Sequence, residues 1–367
     1  FTNQNKYIKK NYFMQLALNQ ARKSLGNTKD NPAVGCVIVK NNTVISAGNT
    51  SFNGRPHAEY NAIKSSKKSL KDTHIYVTLE PCSHYGKTPP CVKKIIKTKA
   101  KKVFISVKDP DIRSYGKSIK SLNKHNISVN VGTLSHKIMN FYKSYYKSRS
   151  KLLPFVTSKL AVSKDFYTIN TKKNHFITNN FSRGRVHLMR SFHDCIMTSS
   201  QTIIKDNPML TCRIDGLKNS SPSRIILDNK LKISIYSKIV REANLYKTIV
   251  FFNKYNKNKI KLFKKMKIKT FQLPLDNSGN LDLKECLLKS KKLGFSRIFL
   301  ETGLKLTKKF LEKNLVDDFK LFISNKNLKK NGKANANKYI INFFKKKKKI
   351  TERVNLFGDK LISYSLK

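Results

Sequence analysis

No apolar run in this sequence approaches the roughly 18 consecutive residues that a membrane-spanning helix needs. No signal-peptide core is visible near the start. The chain opens on Phe1 rather than Met, which leaves the completeness of its N-terminus open. Cysteine is scarce, with six residues at 36, 82, 91, 195, 212 and 286. Most stand singly in apolar surroundings, as Cys36 does within Val34 to Val39. That spacing excludes a disulfide framework and implies a reducing, cytoplasmic compartment. No G-x-G-x-x-G occurs, so a Rossmann dinucleotide site is not indicated, and no internal repeat is evident. The scarcest class is acidic: 21 Asp and Glu face 76 Lys and Arg, for a net charge of +55. The direct reading of such an excess is a nucleic-acid or membrane-surface partner. The lysines are spread along the whole chain, however, beside abundant Asn, Ile, Phe and Tyr, the joint bias of an AT-rich genome. No specific nucleic acid and no membrane is therefore assigned as partner. The run Lys345 to Lys349 reads as the solvated edge strand of a terminal hairpin turning at Gly358-Asp359.

At 367 residues the chain is long enough for two domains. The first half alternates strands and helices, which predicts an α/β sheet. Helices are expected over Tyr12 to Arg22, His57 to Ser66 and Cys91 to Lys97. Strands are expected over Val34 to Val39, Thr43 to Ala47, Ile75 to Leu79, Val103 to Val107 and Ile127 to Val131. A linker is expected in Tyr145 to Pro154, with the boundary near 147, giving domains 1–147 and 148–367. A second alternating pattern follows. Its strands are Phe155 to Leu160, Cys195 to Thr198, Arg224 to Leu227, Thr248 to Phe252, Arg297 to Leu300 and Phe319 to Ile323. Its helices are Ser182 to Arg190, Leu283 to Leu293 and Thr307 to Lys313.

Chemistry concentrates in three short pieces: His57-Ala58-Glu59, Pro81-Cys82 and Cys91. One His and two Cys are three zinc ligands, the number a catalytic zinc keeps while water holds the fourth place. Glu59, two residues after the His, lies beside the metal without occupying it. That is the layout of a zinc deaminase, in which the metal acidifies a water and the carboxylate shuttles its proton to the departing amine. The general signature continues P-C-x-x-C, whereas here eight residues separate Cys82 from Cys91. A structural zinc would want a fourth protein ligand, for which His84 and Cys36 are candidates, but it gives no reason for Glu59. In the second half, Glu301-Thr302-Gly303 stands between a predicted strand and helix, where a Gly exposes backbone N–H groups to a phosphate.

The run Thr78-Leu-Glu-Pro-Cys-Ser-His-Tyr-Gly-Lys-Thr-Pro-Pro-Cys91 closely resembles the bifunctional riboflavin-biosynthesis deaminase/reductase family, as does Asn31-Pro-Ala-Val-Gly35. In that family the longer cysteine spacing is the rule. Phe176-Ile-Thr178, Thr198-Ser-Ser-Gln-Thr202 and Asp206-Asn-Pro-Met-Leu-Thr-Cys-Arg213 are similar to motifs of its reductase half. The resemblance implies a cytidine-deaminase-like α/β/α domain followed by a dihydrofolate-reductase-like α/β domain, with Zn2+ and NADPH as cofactors. It implies a phosphoribosylamino diaminopyrimidinone as substrate, deaminated first and then reduced at the ribosyl group. It implies Glu59 as the catalytic acid–base, His57, Cys82 and Cys91 as metal ligands, and Asn31, His84 and Lys87 as substrate contacts. In the reductase half, Val162, Phe176, Thr202, Asp206, Asn229 and Gly303 would contact the cofactor. Asn174, Arg190, Leu210, Arg213 and Glu301 would contact the substrate, the two arginines taking its phosphate. A homo-oligomer is left open.

The chain departs from the family pattern at several points. The family's Ser-x-Asp-Gly reads Ser163-Lys-Asp-Phe166, its Trp is Phe176, its Asp-Pro-Asn-Pro is Asp109-Pro-Asp-Ile112, and its Pro-rich segment after Ile323 is polar. A positive φ at Phe166 would cost about 1–2 kcal/mol. These departures fall mainly in the reductase half, so a degenerate reductase is one alternative. A nucleic-acid deaminase acting on tRNA adenosine is the other; it shares the zinc core but leaves the second half unexplained.

Overall fold

The computed structural model describes residues 2–150, 152–172 and 176–367, with the side chains of residues 2–8 left out. The chain divides into two compact units, Phe1–Lys151 and Leu152–Lys367. No helix among the described residues is long and apolar enough to cross a membrane.

The first unit runs α1 (Thr2–Ser24), β1 (Gly35–Lys40), β2 (Thr43–Asn49), α2 (Ala58–Ser65), β3 (His74–Leu79), α3 (Cys91–Lys97), β4 (Lys102–Val107), α4 (Lys117–Lys124), β5 (Ser128–Val131) and α5 (Ser135–Ser150). Its sheet has the order β2-β1-β3-β4-β5. The pairs β1–β2 and β1–β3 are antiparallel, and β3–β4 and β4–β5 are parallel. The apolar runs Cys36 to Val39, Ile75 to Val77 and Val103 to Ile105 are buried, as strands covered on both faces require. Two glycines let helices press onto this sheet. A Cβ on Gly35 would stand 1.9 Å from Ala17 O of α1, and one on Gly48 would stand 2.4 Å from Ala62 N of α2. The second contact sets how closely α2, with His57 at its head, lies on the sheet.

The second unit runs β6 (Phe155–Val162), β7 (Tyr167–Asn170), α6 (Asn180–Ser191), β8 (Cys195–Ser199), α7 (Ser200–Asp206), β9 (Ser223–Leu227), α8 (Lys238–Arg241), β10 (Thr248–Phe252), α9 (Lys257–Lys265), β11 (Lys269–Gln272), α10 (Leu283–Lys292), β12 (Arg297–Glu301), α11 (Leu304–Glu312), β13 (Asp318–Ile323), β14 (Gly332–Asn335), α12 (Asn337–Phe344), β15 (Lys349–Thr351) and β16 (Lys360–Ser365). Its large sheet has the order β11-β10-β9-β8-β12-β6-β13-β16-β15. From β11 to β13 every pairing is parallel; β16 runs antiparallel to both its neighbours. Strands β7 and β14 form a separate antiparallel pair. Two apolar clusters are packed in this unit, one including Val156, Leu160, Met197, Leu300 and Phe319, the other Ile196, Ile226, Phe252 and Phe299.

Two expectations need correction. The stretch Tyr145 to Ser150 is not a linker but the last part of α5. Its aromatic residues have partners: Tyr145 Oη donates to Asp109 Oδ1 (3.0 Å) and Tyr146 Oη to Lys108 O. The run Lys345 to Lys348 is not strand. It follows α12, and Lys349 alone enters the edge strand β15. Mutual repulsion of adjacent ammonium groups disfavours a regular extended edge until Ile350 and Thr351 supply strand-forming side chains.

Phe166 has φ of 65°, the left-handed region. It closes the turn from β6 to β7, where Phe166 N donates to Ser163 O and Ser163 N to Tyr167 O. A single left-handed residue after such a turn is usually Gly. The Phe ring compensates by packing on the core.

Candidate functional site

His57 is the N-cap residue of α2, extended at φ −74° and ψ 161°, and Glu59 lies in the first turn. Cys82 follows β3 on a loop, and Cys91 opens α3 after Pro89-Pro90, where Pro suits a helix start. These elements bring one ligand atom each from His57, Cys82 and Cys91 within 4.8 Å of one another. His57 Nδ1 is 3.5 Å from both sulfurs. A tetrahedral zinc with Zn–S of about 2.3 Å and Zn–N of about 2.0–2.1 Å needs N and S about 3.5 Å apart. The donor set and spacing therefore fit zinc. Cys91 N–H donates to Cys82 Sγ at 3.2 Å, as a thiolate favours. A hydrogen bond from Cys91 draws the Cys82 thiol down to about 4, and the same contact drives Cys91 up. Cys36 and His84 lie outside this cluster among the described residues. Burial raises the Cys36 thiol well above its ordinary value, as for a core residue.

Glu59 is 3% exposed. Burial pushes its carboxyl up to about 7, against the field of His57. Of the proposed substrate contacts, Asn31 Nδ2 donates to Gly54 O (3.1 Å), and His84 Nδ1 pairs with Ser114 Oγ (3.0 Å). Lys87 is exposed on the loop between the two cysteines.

Sequence reasoning missed Glu80. This buried carboxylate accepts from Asp109 N (3.2 Å), Gly116 N (3.0 Å) and Ser118 Oγ (2.8 Å). It fastens the loop after β4 to the start of the cysteine loop. An acidic residue between a buried strand and Pro81 was the available signal.

In the second unit the candidates gather at the carboxyl ends of parallel strands, where ligands bind in open α/β sheets. Val162 ends β6, Thr202 follows β8 in α7, Asn229 follows β9, and Gly303 caps α11 after β12. Arg190 and Glu301 form a two-pronged buried pair: Nε to Oε1 at 2.6 Å and Nη2 to Oε2 at 3.0 Å. Burial works to raise the Glu301 carboxyl, but the Arg190 guanidinium holds it below its ordinary value. Arg190 Nη1 also donates to Thr211 O (2.9 Å), which links it to the Leu210 to Arg213 segment. Leu210 is buried with φ of 55°, and Arg213 is exposed. His187 sits between the arginines, Nδ1 2.9 Å from Thr211 O and 3.2 Å from Arg213 N. Burial, then Arg190 and Arg213, push its imidazole down to about 4.

Phe176 is 68% exposed, with the Arg183 guanidinium 4.1 Å from its ring centre. Asn229 Nδ2 donates to Gly279 O (3.2 Å), and Asp206 is exposed at the end of α7. Asn174 lies outside the described residues. Lys159 is a further residue the sequence reading missed. It pairs in register with Glu301 across β6 and β12, and burial pushes its ammonium down against the opposing field of Glu301. At Gly303 open space meets the position of a Cβ, and the neighbouring Thr302 Oγ1 is buried without a partner.

Residues 8–107 match the cytidine and deoxycytidylate deaminase zinc-binding region, and residues 154–333 match the RibD C-terminal domain. The chain is 33% identical to riboflavin biosynthesis protein RibD of Buchnera aphidicola subsp. Baizongia pistaciae, over 86% of this chain and 87% of that one. It is also 33% identical to riboflavin biosynthesis protein RibD of Aquifex aeolicus, over 87% of each. It superposes on the diaminohydroxyphosphoribosylaminopyrimidine deaminase/5-amino-6-(5-phosphoribosylamino)uracil reductase of Thermotoga maritima with a TM-score of 0.84. That likeness covers 98% of this chain and 99% of the other, at 29% identity.

Proposed function

The chain belongs to the RibD family of riboflavin-biosynthesis deaminase/reductases, and from that premise we propose how each unit does its part. The first deaminates a phosphoribosylamino diaminopyrimidinone, and the second reduces the ribosyl group of the product to ribityl with NADPH. The observation that carries the reading is the convergence of His57, Cys82 and Cys91 beside the buried Glu59.

His57, Cys82 and Cys91 would hold the zinc, which would supply a Lewis acid to activate water for attack. Glu59 does the proton work. It is buried beside the ligand set, within reach of a water at the metal, and its two oxygens can accept and return a proton. It accepts the proton of the attacking water and delivers it to the ring nitrogen and the departing ammonia. Asn31, whose amide is oriented by Gly54, His84, oriented by Ser114, and Lys87 meet the pyrimidine and its substituents.

NADPH supplies a hydride to the second reaction. Val162, Thr202, Asn229 and Gly303 lie at the strand ends that would hold it, and the family resemblance adds Phe176 and Asp206. The open space at Gly303 and the unpartnered Thr302 hydroxyl support a ligand approaching this turn. Arg190 keeps Glu301 ionised and fixed, Lys159 adds a cation beside it, and the exposed Arg213 is free to fork onto the phosphate. Scattered lysines without an aromatic platform support a small anionic substrate rather than a nucleic acid. The unpaired cysteines support a reducing, cytoplasmic setting.

The test is incubation of the purified protein with the pyrimidine substrate, with and without NADPH, followed by product mass. Exchange of one amine for oxygen without NADPH, and gain of two hydrogens only with it, is the expected result. No deamination sinks the reading. Deamination without the second mass change reduces the protein to a deaminase with a degenerate reductase half.

A further inference from the structure

Arg55 stands two residues before His57 and has no role in the scheme above. The segment carrying it is pinned from three sides. Ser51 N donates to Pro56 O (3.0 Å), Asn53 N to Asn27 O (2.8 Å), and Asn31 Nδ2 to Gly54 O (3.1 Å). Gly54 has φ of 87°, and a Cβ there would fall 2.5 Å from Asn31 Nδ2. The backbone ahead of Arg55 is thus built for one conformation.

The side chain is half-buried and reaches from the head of α2 to the cysteine loop, where Nη1 donates to Thr88 Oγ1 at 2.6 Å. Gly86 makes room for it. A Cβ on Gly86 would stand 3.1 Å from Arg55 Nη2, although Gly86 has no positive φ to require a glycine. The guanidinium lies close enough to the metal cluster that its charge is felt at both His57 and His84.

That charge has no counterion. Among the described residues Arg55 makes no ion pair. The other arginine on this rim, Arg113, is spent on Asp111, with Nε at 2.9 Å and Nη2 at 2.5 Å. Glu59 is buried, and Glu80 is saturated by Asp109, Gly116 and Ser118. An arginine has five N–H donors, and Arg55 uses one. A half-buried, pre-oriented and uncompensated guanidinium is an anion receptor, and phosphate is the anion whose geometry its fork matches.

We propose that Arg55 recognises the phosphate of the phosphoribosyl substituent during deamination, while the pyrimidine ring lies at the His57–Cys82–Cys91 centre. This rests on the deaminase reading given above and adds a specificity residue to it. Thr88 and Gly86 are positioning residues: one anchors the guanidinium and the other leaves space for it.

The test compares wild type with Arg55→Gln, Arg55→Lys and Thr88→Val on the phosphorylated pyrimidine and on its dephosphorylated counterpart. Calorimetric titration with ribose 5-phosphate against ribose runs in parallel. In Arg55→Gln, KM for the phosphorylated substrate should rise by about tenfold or more, the loss of a charge-assisted fork. Its kcat should change by less than about twofold, because the fork acts away from the reacting carbon. KM for the dephosphorylated substrate should not move, and ribose 5-phosphate binding should weaken in step. Arg55→Lys, which keeps charge and length, should recover part of the loss. Thr88→Val should raise KM for the phosphorylated form alone, by less than Arg55→Gln. Equal losses on both substrates would make Arg55 a brace for the cysteine loop and overturn the proposal. Unaltered phosphate preference in Arg55→Gln overturns it too. If wild type deaminates neither pyrimidine, the deaminase reading falls, and the ribose 5-phosphate titration still judges Arg55.

Discussion

The two halves of this protein assemble their chemistry differently. In the first, four groups from a 35-residue stretch, His57 to Cys91, converge around one point, with three ligand atoms within 4.8 Å and a buried acid beside them. In the second, the candidates run from Lys159 to Gly303, and Arg190 and Glu301 are joined by a two-pronged side-chain contact. A metal demands ligand positions good to a few tenths of an ångström, so its residues are dictated one by one. A dinucleotide and a sugar are held by strand ends, turns and backbone, which many side chains satisfy. The first site should therefore fail sharply at single positions, and the second by loss of structure or by degrees.

The sharpest break is Glu59→Gln. Deamination should fall by at least about 10²-fold, the lower end for loss of an acid–base group. Zinc content, read by metal analysis, should be retained, and reduction of separately supplied deaminated substrate should be unchanged. Near-normal deamination would remove Glu59 from the mechanism. Cys82→Ser and Cys91→Ser should lose zinc as well as activity, and full metal occupancy in both would undo the ligand assignment.

Next in size is Arg190→Ala, which strips the buried Glu301 carboxylate of its two-pronged partner and leaves only the Lys159 ammonium beside it. Such a break costs about 3–5 kcal/mol, and should appear as a lowered denaturation midpoint with reductase activity lost. Combining Arg190→Met with Glu301→Gln should recover much of that stability but none of the activity. If the single variant is as stable as wild type, the pair is not the keystone of the second unit.

Acid should distinguish the halves further. His193 packs on Phe299 and bonds Met189 O and Thr157 Oγ1, and burial pushes its imidazole down to about 4. Its folded pKa lies below the unfolded value, so the unfolded state binds the extra proton between about pH 6.5 and 4. The stabilisation is complete above about pH 6.5 and is lost as pH falls through that window. His193→Gln should flatten the pH dependence of the denaturation midpoint there; an unchanged slope would place acid sensitivity elsewhere.

The smallest expected effect is at Phe166. Relief of a left-handed residue is worth about 1–2 kcal/mol, and loss of a partly buried phenyl ring costs about 1.5–3 kcal/mol. Packing wins narrowly, so Phe166→Gly should lower stability by about 1 kcal/mol. A rise in melting temperature, or a gain in reductase turnover, would show that strain dominates and that the residue marks erosion.

Much of this molecule was legible before folding. The strands Thr248 to Phe252 and Val103 to Val107 announced themselves as continuous apolar runs, and α3 began at the residue that Pro89-Pro90 indicated. Helix α4 and the first part of α5 went unread because lysine, serine and asparagine obscure their faces. Tyr145 and Tyr146 passed for linker because their partners, Asp109 and the Lys108 carbonyl, lie more than 30 positions away in the chain.

The order of His57, Glu59, Cys82 and Cys91 was enough by itself to specify a zinc deaminase centre, since catalytic metal chemistry fixes residue types at short range. The family motifs extended that reading to a reductase half. Tertiary structure alone decided what the solitary charges do. Glu80 became a loop anchor, Lys159 a neighbour of Glu301, and Arg55 an unpaired guanidinium at the rim of the first site. The energy of a charge depends on its burial and its counterions, and the fold sets both.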